Sequence, residues 1–106
     1  MGPEAFLESE ARKYAKKKGG KSMKWVSPGH NGVPDRIFTH WRCGPFFVEF
    51  KAKGKPLTAL QRAMCAELAA NGMRVYAPVD SLVTIKEIID DEFSGGPKRH
   101  QPLDDL

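Results

Sequence analysis

"GVPDRIFTHWRCGPFFVEFKAKGK", from Gly32 to Lys55, is the stretch on which the fold turns. Asp35 to His40 reads as one strand and Phe46 to Lys51 as another, with Trp41 to Gly44 turning between them. In the second strand, the period of two puts Phe46, Val48 and Phe50 on one face and Phe47, Glu49 and Lys51 on the other. Apolar residues on both faces mean a strand covered on both sides. A carboxylate buried there needs a partner or a cation. Pro34 holds the chain extended at the entrance to the first strand, and Gly32 lets the preceding loop reach it.

Upstream, Pro3 to Lys18 reads as a helix with Ala5, Phe6, Ala11, Tyr14 and Ala15 as an uneven apolar stripe. Gly19-Gly20 stops it. Met23 to Ser27 is a short strand, and "SPGHNGVP" (Ser27 to Pro34) is a loop with special backbone needs. Downstream, "KAKGKP" turns and Thr58 opens a helix to about Asn71, where Thr58-x-x-Gln61 fits a capping box. Leu60, Met64, Cys65 and Leu68 are its expected buried stripe. Met73 to Val79 is a fourth strand, and Asp80 or Ser81 caps a last helix to about Phe93. The order is helix, three strands, helix, strand, helix. That is an α/β chain with a mixed central sheet flanked by helices, closed by a parallel crossover from Phe46 to Val79. Residues 1–93 form the expected domain, and 94–106 read as a flexible C-terminal tail.

The chain has 106 residues and a net charge of +4, enough for one domain with a modest core. Arg12, Lys13, Lys16, Lys17, Lys18, Lys21 and Lys24 fall between Ala11 and Lys24 with no acid among them. Such a segment suits a polyanion, and it equally suits a solvated helix face. Cys43 and Cys65 make no CxxC and have no histidine at ligand spacing, which fits a reducing compartment. No apolar run is long enough to span a bilayer, and no signal-peptide pattern opens the chain. The expectation is an intracellular protein. A Gly-rich nucleotide loop, a Ser/His/Asp set and zinc spacing are all absent from the sequence.

If the two central strands pair as a hairpin, Asp35 and Glu49 come within a few ångströms. Two carboxylates that close repel each other, and a hard divalent cation resolves the conflict while keeping several waters. Lys51, on the face of Glu49, then stabilises charge growing on a phosphate. Duller readings exist for each group: Asp35 closing a turn, and Glu49 with Lys51 forming an exposed charge row. Burial of the strand favours the site.

Pro34-Asp35 followed by Glu49-Phe50-Lys51 resembles the PD-(D/E)xK nuclease signature. "GGKSMKWVSPGHNGVPDRIF", "FFVEFKAKGKPLTALQ" and "LAANGMRVYAPVDS" resemble the VRR-NUC branch of that superfamily, over about Glu8 to Ile89 and in its small stand-alone phage or bacterial form. The resemblance implies a restriction-endonuclease-like core and a Mg²⁺-dependent DNA endonuclease in which Mn²⁺ can substitute. It also implies a homodimer, a preference for branched DNA such as Holliday junctions, and a bacterial or host cytoplasm. By position, Asp35 and Glu49 match the metal-binding acids, Lys51 the catalytic lysine and Gln61 a glutamine that supports it. The Phe50 carbonyl matches a further metal oxygen, and Glu8 an N-terminal acid. Lys21, Lys24, His30, Lys53 and Lys55 are the expected DNA contacts. A nuclease for flaps or ordinary duplex, a non-catalytic DNA-binding module and a protein-binding domain are the alternatives. Trp25 and Trp41 read as core or dimer-interface residues.

Overall fold

Pro at the first helical position, an acid in the first turn and lysines in the last give the first segment both ends of a helix. In the computed structural model, which describes residues 1–95, this is α1 (Pro3–Lys17). Its buried side is Leu7, Ala11 and Ala15, spaced one turn apart. Ala5 and Phe6, expected in the stripe, are exposed, because Leu7 takes the inward position of that turn. Gly20 follows where a side chain has no room: a Cβ there would lie 2.4 Å from the Phe93 ring and 2.6 Å from the Thr39 carbonyl.

The sheet contains β1 (Lys21–Lys24), β2 (Arg36–His40), β3 (Cys43–Phe50) and β4 (Arg74–Val79), in that spatial order. β1, β2 and β3 are antiparallel neighbours, and β4 joins β3 in parallel through α2 (Ala59–Ala70), as the expected crossover requires. Ser81 caps α3 (Leu82–Phe93), its side chain accepting from the Thr84 N–H. Ser94 and Gly95 close that helix. The remainder of the expected tail, residues 96–106, lies outside the described residues.

α1 and α3 cover one face of the sheet. There Phe38, Phe46, Val48 and Phe50 pack with Ile85, Ile89 and the α1 stripe, and the Phe38 and Phe46 rings stack at 5.2 Å. Phe47 points to the opposite face, against Trp25 at 5.1 Å, and Glu49 points there too, under α2. The alternation read from the sequence of β3 is therefore the observed one. β1 sits earlier than its expected Met23–Ser27. Its register runs from Lys21 opposite Thr39 to Lys24 opposite Arg36, which buries Ser22 against the Arg36 guanidinium at 2.7 Å. Only Cys65 of α2 is buried; Leu60, expected inward, is 53% exposed, because the first turn of α2 covers the polar end of β3.

Among the described residues no helix is long and apolar enough to cross a membrane.

Candidate active site

The β2–β3 register decides which side chains meet. Arg36 faces Val48, so antiparallel pairing brings Asp35 alongside Glu49 and Phe50. Asp35 Oδ2 accepts the Phe50 N–H at 3.0 Å. Glu49 is 2% exposed, and its Oε2 accepts from Gln61 Nε2 at 3.1 Å. Its Oε1 is buried and accepts from no N–H or O–H donor, while the Glu49 and Asp35 carboxyls share a hydrogen bond once one of them is protonated.

That orphaned oxygen is costly for an ionised group. Burial, then the Asp35 charge, raise the Glu49 pKa from 4.5 to about 8, against the lowering effect of the Lys51 ammonium. Burial also raises Asp35, opposed by the Phe50 N–H; the Glu8 charge raises it further and Lys24 lowers it. The pair titrates as a unit, and without a cation it carries a proton at neutral pH. A divalent cation in place of that proton could satisfy both carboxylates at once.

Gln61 holds two positions. Its backbone N–H donates to the Thr58 hydroxyl at 3.1 Å and its Oε1 accepts the Thr58 N–H at 3.0 Å, while its Nε2 reaches Glu49. The capping box thus aims the amide at the acid. Lys51 follows β3, anchored by its N–H to the Val79 carbonyl at 3.0 Å, with its ammonium close enough to act on Glu49.

Glu8 lies at the margin. Its Oε1 accepts from Lys24 Nζ at 2.8 Å and from Arg36 Nη1 at 3.2 Å, while its charge reaches Asp35. Lys24, expected to contact DNA, is thereby paired. Glu4, one turn earlier on α1, accepts the Ala52 N–H at 3.4 Å, and its charge reaches Glu49. The sequence reading passed over Glu4 and Arg36. Spacing offered a signal for Glu4, since residues four apart share a helix face. Arg36 gave none: an arginine in a short strand reads as solvent-facing, yet this one is buried and bonded to Ser22 and Glu8.

The remaining expected DNA contacts surround the pair without joining it. Lys21 is exposed on β1, and Lys53 and Lys55 are exposed in the turn after β3. His30 is exposed in the loop before β2, with Nδ1 3.3 Å from the Pro28 carbonyl. Among the described residues no three His, Cys, Asp or Glu side chains converge as an ion cage. Asp35 and Glu49 could supply two oxygens to a hard cation such as Mg²⁺, which usually keeps several waters as its remaining ligands.

No protein-family model matches the chain. It is 43% identical over 72 residues to "Putative nuclease p44" of Acyrthosiphon pisum secondary endosymbiont phage 1, covering 68% of this chain and 73% of that protein. One solved structure described as "VRR_NUC domain" superimposes with a TM-score of 0.77 at 22% identity, covering 85% of this chain and 97% of that one. A second, "VRR_NUC domain protein", gives 0.73 at 15% identity, covering 90% and 91%. Shared sequence places the chain in the nuclease family of that phage protein, and its fold is that of the VRR_NUC domains.

Proposed function

We propose that this chain is a divalent-metal-dependent DNA endonuclease that hydrolyses phosphodiester bonds in the cytoplasm of a bacterial cell. The carrying observation is Glu49: buried, proton-hungry, one oxygen without an N–H or O–H donor, and beside a second carboxylate. Asp35 and Glu49 would hold Mg²⁺ or Mn²⁺, with the Phe50 carbonyl as a further oxygen and Glu8 acting from the margin. A cation held there supplies positive charge next to the scissile phosphate and acidifies water. Lys51 orients the attacking water and steadies charge on the phosphate oxygens. The water oxygen gives a proton to solvent as it bonds to phosphorus, the bond from phosphorus to the departing ester oxygen breaks, and that oxygen takes up a proton from solvent. Gln61 fixes the Glu49 carboxylate, and Lys21, Lys24, His30, Lys53 and Lys55 flank the DNA backbone.

We further propose a homodimer acting on branched DNA, because two sites related by a twofold suit paired cuts on a symmetric junction. A panel of labelled linear, nicked, flap and four-way DNAs, each with Mg²⁺, Mn²⁺ or chelator, tests the reading. Cleavage is expected with either metal and none with chelator, fastest on the four-way form. An absence of metal-dependent cutting on every form rejects the enzyme; equal rates on linear DNA reject the preference for branches.

Gly32 supplies a separate check. Its φ is +85°, and a Cβ there would sit 2.8 Å from the Leu60 carbonyl oxygen, in the first turn of α2 beside Gln61. Gly32→Ala must push the loop or the helix, separating the segment that carries Asp35 from the one that carries Gln61. The expected result is a loss of ~1–3 kcal/mol of stability and about tenfold slower cleavage, read by thermal melting and initial rates. Unchanged cleavage would show that the loop–helix contact does not set the site.

A further inference from the structure

Three neighbouring hollows on the surface share lining residues. The first, of about 240 Å³, starts at Glu8 and Arg36 beside the acids and includes Lys24 and Arg12. The second, of about 330 Å³, shares Arg12 and adds Lys16, Lys21 and Ser22. The third, of about 370 Å³, shares Gly20 and Lys21 and ends on His40 and Trp41. Their shared lining residues set them in a row, a furrow along α1 and β1 that runs from Glu8 and Arg36, at the margin of the acid pair, to the β2–β3 turn at Trp41. β1 alone contributes about 10 Å of that length, at ~3.3 Å per residue.

The furrow is electropositive. Among the described residues Arg12, Lys16 and Lys21 are in no ion pair, and Glu8, an acid on its wall, is already neutralised by Lys24 and Arg36. Its far end carries a different chemistry. Trp41 is 80% exposed, so it is neither core nor filler, which corrects the core reading made from the sequence. Yet it is not loose: its ring stacks on His40 at 5.9 Å, and His40 stacks on the buried Phe93 at 4.4 Å. The Arg42 guanidinium lies 4.9 Å over the indole, so a base stacking on that side must displace this exposed cation.

A cationic track ending in an anchored, solvent-facing indole is the combination that binds unpaired nucleic acid: charges follow the backbone while a base stacks on the ring. A duplex offers the same phosphates but hides its base faces. We propose that this furrow binds a nucleic-acid strand with unpaired bases, phosphates over Arg12, Lys16 and Lys21 and a base on Trp41. A strand peeled from a branch point would thereby be held beside the cutting site, without deciding which branched form is cut. The link to cutting rests on the nuclease reading, whereas the binding itself does not.

The test uses the full chain in chelator, with labelled oligo(dT) and a blunt duplex, followed by anisotropy and tryptophan emission. Oligo(dT) is expected to quench the emission. Trp41→Ala should weaken its affinity about tenfold and change duplex affinity less than twofold, while Trp41→Phe restores most of the loss. Lys21→Ala should weaken both DNAs and lower the salt slope by about one. A parent-like Trp41→Ala on oligo(dT) overturns the proposal, as does a loss explained by a dimer falling to monomer in sedimentation. Because Trp41 is exposed, its replacement should leave the melting temperature unchanged. A parent that cuts no DNA but binds oligo(dT) through Trp41 would sink the nuclease reading and leave this one standing.

Discussion

Glu49→Gln should melt at a higher temperature than the parent at pH 8 in chelator, and should cleave DNA at least ~10³-fold more slowly with Mg²⁺. One substitution should improve the fold and abolish cleavage, because the carboxylate is a liability to the first and, in the proposed mechanism, a requirement of the second. Glutamine keeps the shape and can still accept from Gln61, but removes the buried charge beside Asp35. It also removes the anionic oxygen that would draw a cation, so Mn²⁺ should raise the melting temperature of the parent and not of the variant. A variant that is destabilised and still cuts would show that Glu49 is an ordinary structural acid.

The pH dependence has a definite sign. Folded Glu49 holds its proton to about pH 8, whereas an unfolded glutamate releases it near 4.5. Between those values the unfolded chain binds fewer protons than the folded one, so stability falls as pH rises. In chelator, the contribution of this group is complete below pH 4.5 and gone above about 8. Melting temperatures across that window should decline in the parent and decline less in Glu49→Gln. A saturating divalent cation, which favours the ionised pair, should flatten the parent's curve.

The hairpin that carries the acids was legible because period two and a short turn leave one arrangement for β2 and β3. The Thr58–Gln61 capping box was legible as well, and its geometry explains how Gln61 can cap a helix and hold Glu49 together. What sequence periodicity could not supply were choices made by distant partners. β1 begins two residues earlier and ends three earlier than its own propensities suggest, since Ser22 meets a guanidinium fourteen positions away. Glu8 is held by that same Arg36 across twenty-eight positions, so its reach toward the acids is set by a contact no local pattern encodes. Leu60 and Trp41 carry apolar side chains that local rules bury. The fold leaves them outside, one over the polar mouth of the site and the other on a hairpin tip.

Lys51→Ala should reduce cleavage about 10²–10³-fold while shifting DNA affinity, measured in chelator, by no more than a few-fold. The lysine follows a strand locked on both sides, and its N–H bond to Val79 is a backbone contact that alanine keeps. The fold should therefore survive. What is lost is a compact positive charge near Glu49, where charge on a phosphate would develop. Binding draws on many dispersed cations, so deleting one lowers the salt slope by at most about one. Lys51→Arg separates charge from shape: its planar, weakly hydrated head keeps the field but cannot place a water as an ammonium does, so partial cleavage is expected. If Lys51→Ala cuts at the parental rate, the lysine is outside the chemistry. If it loses binding and cutting in equal measure with an unchanged melting temperature, its role is to hold DNA, and the water must be positioned by another group.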